Sequence, residues 1–316
     1  VLHDAAEDDH LHLRPPAFPV AVHGLAIEPR RHGDEQRLWE ILQKLVAEDP
    51  CLRIEQVAAT HETVVYGLGE LHLRLLLERM AEVHKFDVAT RPPRIPYRES
   101  VTAVAEGHHR HKKQTGGAGQ FGEVFLRVEP LERGVAGHSG FEFVDATKGG
   151  VIPHQFMPAV EKGVRQAMTE GAIAGYPVVD VRVVITDGKS HSVDSKEIAF
   201  VTAARKAFVA AVREARPIVL EPVVELEITA ADGQVGDITG DLSSRRGQVN
   251  GTAVLGNGQL AVRAQAPLAE LSGYQTRLNT LTGGQARYTM SFSHYDAVPP
   301  AVQGKLVAQH QVRDEE

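Results

Sequence analysis

DEQRLWEILQKLVAEDPCLRIEQVAATHETVVYGLGELHLRLLLERMAEVH, residues 34 to 84, is the stretch that decides the fold. Asp34 can cap a helix in which Leu38, Trp39, Ile41, Leu42, Leu45 and Val46 recur at helical spacing. Pro50 stops it, having no N–H to donate to a further turn. Two runs rich in β-branched and apolar residues follow, 52–58 and 63–68, and read as strands. A second helix over 70–84 is expected to bury Leu71, Leu75, Leu76 and Met80. With a strand-like start at Val20, Val22 and Leu25, the order is β-α-β-β-α-β, a split βαβ sandwich.

Working outward, Arg91-Pro92-Pro93-Arg94 reads as a rigid hinge, because each proline pushes its predecessor into an extended conformation. Upstream, residues 1–17 form a charged, His-rich run ending in Pro15-Pro16, the remnant of a preceding domain or linker. Downstream, strand-like residues around 97–106 and 123–130 enclose a Gly-rich loop, and a helix is expected over 158–174. A β-branched run at 178–186 then passes through Asp187-Gly188 into a polar loop and a helix near 195–213, with Asp194 or Ser195 as its cap. Arg216-Pro217 closes this unit. From Glu221 the first order repeats: strand 223–228, helix 234–245, strands 248–255 and 259–265, helix 268–280 and strand 285–293. The expected organisation is therefore a remnant (1–17), a ferredoxin-like domain (18–93), a different α+β domain (94–218), a second ferredoxin-like domain (219–298) and a tail with a short, frayed helix (299–316).

The chain has 316 residues, 42% of them hydrophobic and 24% charged, which is globular material for two or three cores. Its most apolar stretch, 178–185, is broken by Asp180 and Arg182, far short of the ~20 apolar residues that a spanning helix needs. The acidic, His-rich residues 3–12 lack the basic start and apolar centre of a secretory signal. Cys51 is the only cysteine, so no internal disulfide is possible, as suits a reducing cytoplasm. A formal charge of −7 excludes indiscriminate coating of nucleic acid, so any RNA contact is local. Positive charge and flexible backbone coincide at 108–122.

Within that segment, residues 117–122 match the dinucleotide fingerprint in letters only. His108-His109-Arg110-His111-Lys112-Lys113 precedes it where an apolar strand belongs, and the alternating Val124, Leu126 and Val128 follow where a helix belongs. The chain also contains no Gly-rich loop ending in Gly-Lys-Ser or Gly-Lys-Thr. Spacing alone leaves residues 114–122 open between an ordinary hairpin loop and a finger whose amides and flanking Lys112 and Lys113 meet phosphates. The neighbouring histidines have no Cys or carboxylate partners at ligand spacing and read as a solvated edge, so no metal is expected. Ser190, His191, Ser192 and Asp194 share one loop, whereas a hydrolytic triad is assembled from distant segments, so no catalytic residue is assigned. Arg245-Arg246-Gly247 presents a basic helix end beside accessible backbone, a candidate phosphate contact.

From residue 18 to 299 the sequence resembles elongation factor G. Gly67-Leu68-Gly69-Glu70-Leu71-His72-Leu73 resembles the turn and second helix of that family's third domain. Gln114-Thr115-Gly116-Gly117-Ala118-Gly119-Gln120-Phe121-Gly122, Gly149-Gly150-Val151-Ile152-Pro153 and Val193-Asp194-Ser195 resemble its fourth. Gly236-Asp237-Ile238, Arg245-Arg246-Gly247, Pro267-Leu268, Gly273-Tyr274 and Ser291-Phe292-Ser293-His294-Tyr295 follow in the order of its fifth.

The resemblance implies an α+β fold in which two ferredoxin-like sandwiches flank a domain like the second half of ribosomal protein S5. It implies a ribosome-binding, cytoplasmic monomer with no membrane contact, whose fourth domain reaches the decoding centre of the small subunit. There its tip competes with ribosomal RNA for the tRNA–mRNA duplex. Carried over by motif, the tip is Gln114, Thr115, Gly116, Gly117, Ala118, Gly119 and Gln120 with Lys189, Ser190, His191, Ser192, Val193 and Asp194, His191 matching the family's tip histidine. The fifth domain is expected beside large-subunit RNA, with Arg245 and Arg246 on phosphates. No cofactor is expected in this chain: GTP and Mg belong to a GTPase domain ahead of residue 1, and the chain alone should not hydrolyse GTP. Ala118 stands where many members carry Arg, and Ser190 where they carry an aromatic. The run His111-Lys112-Lys113-Gln114-Thr115 is closer to elongation factor G-like paralogues, which include recycling and non-translocating factors. A ribosomal protection protein of the tetracycline type is an alternative, whose tip would lack His191 and the Asp194-Ser195 sequel present here, and a free-standing RNA-binding module is a further one.

Overall fold

In the computed structural model, which describes residues 7, 16, 18–113, 119–132 and 140–315, the first sandwich runs β1 (His23–Pro29), α1 (Glu35–Glu48), β2 (Arg53–Val57), β3 (Glu62–Gly67), α2 (Glu70–Glu82) and β4 (Val88–Arg91). The sheet order is β2-β3-β1-β4, with β1 antiparallel to both neighbours (Leu25 opposite Val65, Ile27 opposite Thr90). Leu38, Leu42 and Leu45 of α1 and Leu73, Leu76 and Met80 of α2 close the core over Ile27, Val65 and Val88. Leu71 and Leu75 are not in it. They are 63% and 55% exposed. The helix carries two leucine stripes at helical spacing, and the turn before it selects between them. A Cβ on Gly67 would lie 2.8 Å from Leu73 Cδ2 and 3.1 Å from His72 Nδ1, so the strand end seats directly on that face. His72 then locks the turn. Its Nδ1 accepts the Leu68 N–H at 3.1 Å and its Nε2 reaches Asp49 Oδ2 at 2.9 Å, while Asp49 Oδ1 accepts the Cys51 N–H at 2.8 Å. Burial works to raise the Asp49 pKa, but the Cys51 amide and His72 outweigh it and hold the carboxyl below its usual range. Asp34 makes no side-chain cap. The Arg-Pro-Pro-Arg segment is pinned by the Glu62 side chain, which is 1% exposed and ion-paired with both Arg91 and Arg94. Glu62 Oε2 also accepts the Arg94 N–H at 2.9 Å and the Thr60 hydroxyl at 3.0 Å.

The central domain contains β5 (Arg98–Val101), β6 (Ala105–Lys113), β7 (Gln120–Pro130), β8 (Phe141–Asp145), α3 (Met157–Glu170), β9 (Val181–Lys189) and α4 (Glu197–Glu214). Residues 97–106 are thus not one strand, and the His-rich run is the body of β6. Helix α3 stops at Glu170, ahead of the expected 174, because Gly171 turns the chain at φ 84°. The sheet order is β6-β7-β9-β8, with β8 parallel to β9. Alanines along α4 let it lie unusually close: a Cβ on Gly107 would sit 2.1 Å from the Ala207 carbonyl oxygen, and one on Gly122 would sit 3.1 Å from Ala199 C. The Glu99 carboxylate is fully buried in a ring of main-chain amides. Its Oε2 accepts from Ala172 (2.7 Å) and Ile173 (3.1 Å), and its Oε1 from Ala174 (2.8 Å) and Tyr176 (3.1 Å).

Pro217 does not close a unit; it opens β10 (Pro217–Ala231), whose first residues pair antiparallel with β5. Then follow α5 (Val235–Ser244), β11 (Gln248–Gly256), β12 (Gln259–Pro267), α6 (Tyr274–Thr282), β13 (Arg287–Ala297) and α7 (Pro300–Glu315). The order β11-β12-β10-β13 repeats that of the first sandwich, with the first strand between the third and the fourth. The helix expected over 268–280 is split at Gly273, which takes φ 68° between a 3-10 turn and α6. Leu226, Ile228, Leu242, Val262 and Leu278 form the core, and Val22 from the start of the first sandwich packs into it. Contacts group residues 1–95 with 224–292 and residues 96–223 with 293–316 as two units. Both sandwiches and the central domain are α+β: two ferredoxin-like folds, with an S5-like one between them in the chain.

Candidate functional site

Strands β7 and β9 are antiparallel neighbours with Glu123 opposite Lys189, so the start of one and the end of the other lie at the same end of the sheet. The described end of the Gly-rich segment, Gly119-Gln120, and the loop after β9 therefore meet. Gln114, Thr115, Gly116, Gly117 and Ala118 lie outside the described residues; Gly119 and Gln120 lead into β7. The chain does not leave the sheet at Asp187-Gly188: both residues are still paired inside β9, opposite Phe125 and Val124, and the bulge lies one residue earlier, at Thr186. Gly188 is required there, since a Cβ would meet Ile152 Cγ1 at 2.4 Å.

The two loops are tied together by main-chain and side-chain bonds. Phe121 N–H donates to the Asp194 carbonyl at 2.9 Å, and the Ser195 hydroxyl donates to the Phe121 carbonyl at 3.1 Å while accepting the His191 N–H at 2.8 Å. Ser195 is therefore a clasp and not the cap of α4, which begins two residues later. His191 Nδ1 faces the N–H groups of Val193 (3.3 Å) and Asp194 (3.2 Å), with Asp194 Oδ2 at 3.5 Å. Accepting from amides assigns the ring proton to Nε2 and fixes the imidazole on the loop. Gly119 presses on the same carboxylate; a Cβ there would lie 2.7 Å from Asp194 Cγ. The Ser195 hydroxyl is spent on a carbonyl and not on the imidazole, so Ser195 and His191 are not paired as nucleophile and base.

Beside the clasp lies an open recess of about 570 Å³ lined by Arg110, Lys112, Lys113, Lys189, Gly150 and His191, among others. Lys189, Ser190, Ser192 and Val193 are exposed around it. Sequence reasoning assigned no site role to Arg110, Phe121, Ser195 or the Gly149-Gly150 turn. In that turn both glycines take positive φ (70° and 67°), and Gly150 lines the recess. The adjacent Gly-Gly pair was the available signal for a third loop at this end. Four cations around glycine backbone suit a phosphodiester chain better than a compact ligand. His109 turns away, toward α4. Burial, then the positive charges of Lys206, His111 and His108, hold its imidazole below the usual range. Among the described residues no group of three His, Cys, Asp or Glu is placed to hold a metal.

Arg245 and Arg246 lie elsewhere, and both are engaged. Arg245 donates to Asp241 Oδ2 (2.9 Å) and to the Glu270 carbonyl (2.7 Å), with its guanidinium over the Tyr274 ring, and Arg246 pairs with Glu270 at 2.9 Å. Arg277 meets the other Asp241 oxygen at 2.8 Å. Asp241, one helical turn before Arg245, was the sequence signal for this commitment.

Three family models match the chain in succession: "Elongation Factor G, domain III" over residues 18–92, "Elongation factor G, domain IV" over 93–216 and "Elongation factor G C-terminus" over 218–306. A Thermotoga maritima protein described as "Elongation factor G-like protein" is 42% identical over 303 residues, 96% of this chain and 44% of that protein. A crystal structure of a Thermus thermophilus protein superposes with a TM-score of 0.77 at 38% identity, covering 95% of this chain and 45% of that one. The chain thus spans less than half the length of these relatives. No described helix is long and apolar enough to cross a membrane.

Proposed function

Since the chain belongs to the elongation factor G family, we propose that it is the ribosome-engaging part of a cytoplasmic translational GTPase, and that its central domain promotes joint movement of tRNA and mRNA. The observation that carries this reading is the clasp, in which Ser195 and Phe121 hold two loops together and present His191 beside a cationic recess. Such a tip acts by occupying space and offering donors. His191 Nε2 and the loop amides compete for hydroxyl and phosphate groups of a shallow RNA groove in the decoding centre, while Lys112, Lys113 and Lys189 offset phosphate charge. No bond is broken here. GTP and Mg would be held by the parent protein's GTPase domain, for which this chain has no phosphate loop. The second sandwich would meet large-subunit RNA, with Arg245 and Arg246 shaping that surface through their internal partners.

A specialised elongation factor G-like role, in recycling or another non-translocating step, is the second reading. Ala118 and Ser190 favour it, since loss of a guanidinium removes a forked phosphate donor from the tip. The test compares ribosome-stimulated GTP hydrolysis with single-round translocation in the full-length protein. Hydrolysis that persists while translocation drops sharply in His191→Ala supports the first reading. A wild-type protein that hydrolyses GTP and never moves tRNA replaces it with the second.

A further inference from the structure

We infer that the solvent face of the central sheet binds single-stranded RNA, an unstacked base lying on the outer face of the His108 imidazole. The inference deepens the reading above, because it rests on this domain working against RNA; the His108–Phe125 stack lies outside the tip recess and adjoins it through Arg110 and Lys112. Outward-facing residues of β6 and β7 are paired in register: His108 opposite Phe125, Arg110 opposite Glu123, Lys112 opposite Phe121. The rings of His108 and Phe125 are stacked, with centroids 4.0 Å apart and planes at 19°. Glu123, almost wholly buried, takes up His108 Nε2 at 2.9 Å and so fixes the rotation of the imidazole. Strand β6 is the edge of its sheet, so no described strand covers the second face of that ring, and the side chain is 46% exposed. The stack is open at one end and of a width that any base can extend.

Charge on the same edge suits a nucleic-acid backbone. Arg110, with its guanidinium 5.3 Å above the Phe121 ring, and Lys112 follow His108 at successive outward positions, about 7 Å apart along the strand. At the opposite end of the face, Arg127, Arg182, Glu129 and Glu142 neutralise one another in ion pairs. At the end nearest the tip Glu123 lies 3.8 Å from Arg110, and Lys112 leaves that end with the net positive charge. A short aromatic stack beside a row of cations is the arrangement by which proteins hold unpaired bases with little regard to sequence, because every base offers a π-face. A duplex, whose bases are already stacked, has nothing to add to it.

The test measures binding of this chain to a short fluorescein-labelled single-stranded RNA, with the matching RNA duplex as comparison. Wild type should prefer the single strand, His108→Ala should weaken that binding roughly tenfold, and His108→Phe, which keeps a ring, should restore most of it. His108 is half-exposed, but its replacement leaves the buried Glu123 facing Arg110 alone, so circular dichroism of each variant checks the fold; Phe125→Leu, which retains apolar cover and the His108–Glu123 pair, should weaken binding as His108→Ala does. Equal binding of the duplex, or unchanged binding in His108→Ala, overturns the inference. If His108→Ala binds as wild type while His191→Ala releases the RNA, the face is not the site, and the functional reading survives without it. If wild type binds no single-stranded RNA, the inference falls, and the translocation assay decides the function alone.

Discussion

Asp241 shows how one carboxylate decides what two arginines can do. Burial by itself would raise its pKa, but hydrogen bonds from Arg277 and Arg245 prevail and hold the carboxyl below its usual range. A lowered folded pKa gives stability that is complete above the unfolded value, about 3.9, and is lost as pH falls through the folded one. Asp241→Asn should therefore cost about 2 kcal/mol near neutrality, where it removes charged hydrogen bonds. The gap between variant and wild type should close as pH falls below about 4. Thermal unfolding across that range tests this; a gap independent of pH would mean that the carboxylate charge contributes nothing. Tyr288, packed in the same core, is pushed up to about 12 by burial and stays neutral throughout. At this scale the sequence misled: Arg245 and Arg246 looked available because a basic helix end is visible in a string of letters. Asp241, four residues before Arg245, was the one partner in view; the Glu270 carbonyl and carboxylate become neighbours only after folding.

At the scale of elements, the approach of α4 to β6 depends on one missing methyl group. A Cβ at Gly107 would stand 2.1 Å from the Ala207 carbonyl, so Gly107→Ala must push helix and strand apart, at a cost of about 3 kcal/mol. Trp39, the only tryptophan, lies in α1 of the first sandwich, in the unit that does not contain β6 and α4. Far-ultraviolet circular dichroism should show part of the structure melting early in the variant while the Trp39 fluorescence transition stays put. Coincident, unshifted transitions would show the contact to be slack. Elements with a hydrophobic period were legible. Leu38, Leu42 and Leu45 specified α1, and the alternation of Val124, Leu126 and Val128 specified β7. Strand β6 was not legible as a strand, since His108 to Lys113 has no apolar alternation and its burial comes from glycine pressed on alanine. In α2 the period was plain and its phase was not, because leucines recur on both faces.

For the whole molecule, the balance of −7 and the local cluster of Arg110, Lys112, Lys113 and Lys189 set the form that the proposed ribosome binding should take. A handful of phosphate contacts should give a log–log dependence of affinity on salt with a slope of about −3. Sedimentation of the full-length protein with ribosomes across a salt series measures it, and a slope near zero would remove these cations from the interface. The convergence of the two loops was legible through family resemblance, whereas the Ser195 clasp required the register of β7 and β9. The amide ring around Glu99 has a further consequence, in the order of events during synthesis. Its donors arrive 73 to 77 residues after it, and the strand that pairs with β5 begins only at Pro217. Until then the carboxylate must stay hydrated, so β5 is held outside any nascent core. The central domain therefore cannot close vectorially, and its amino-terminal strand is among the last pieces to be set in place.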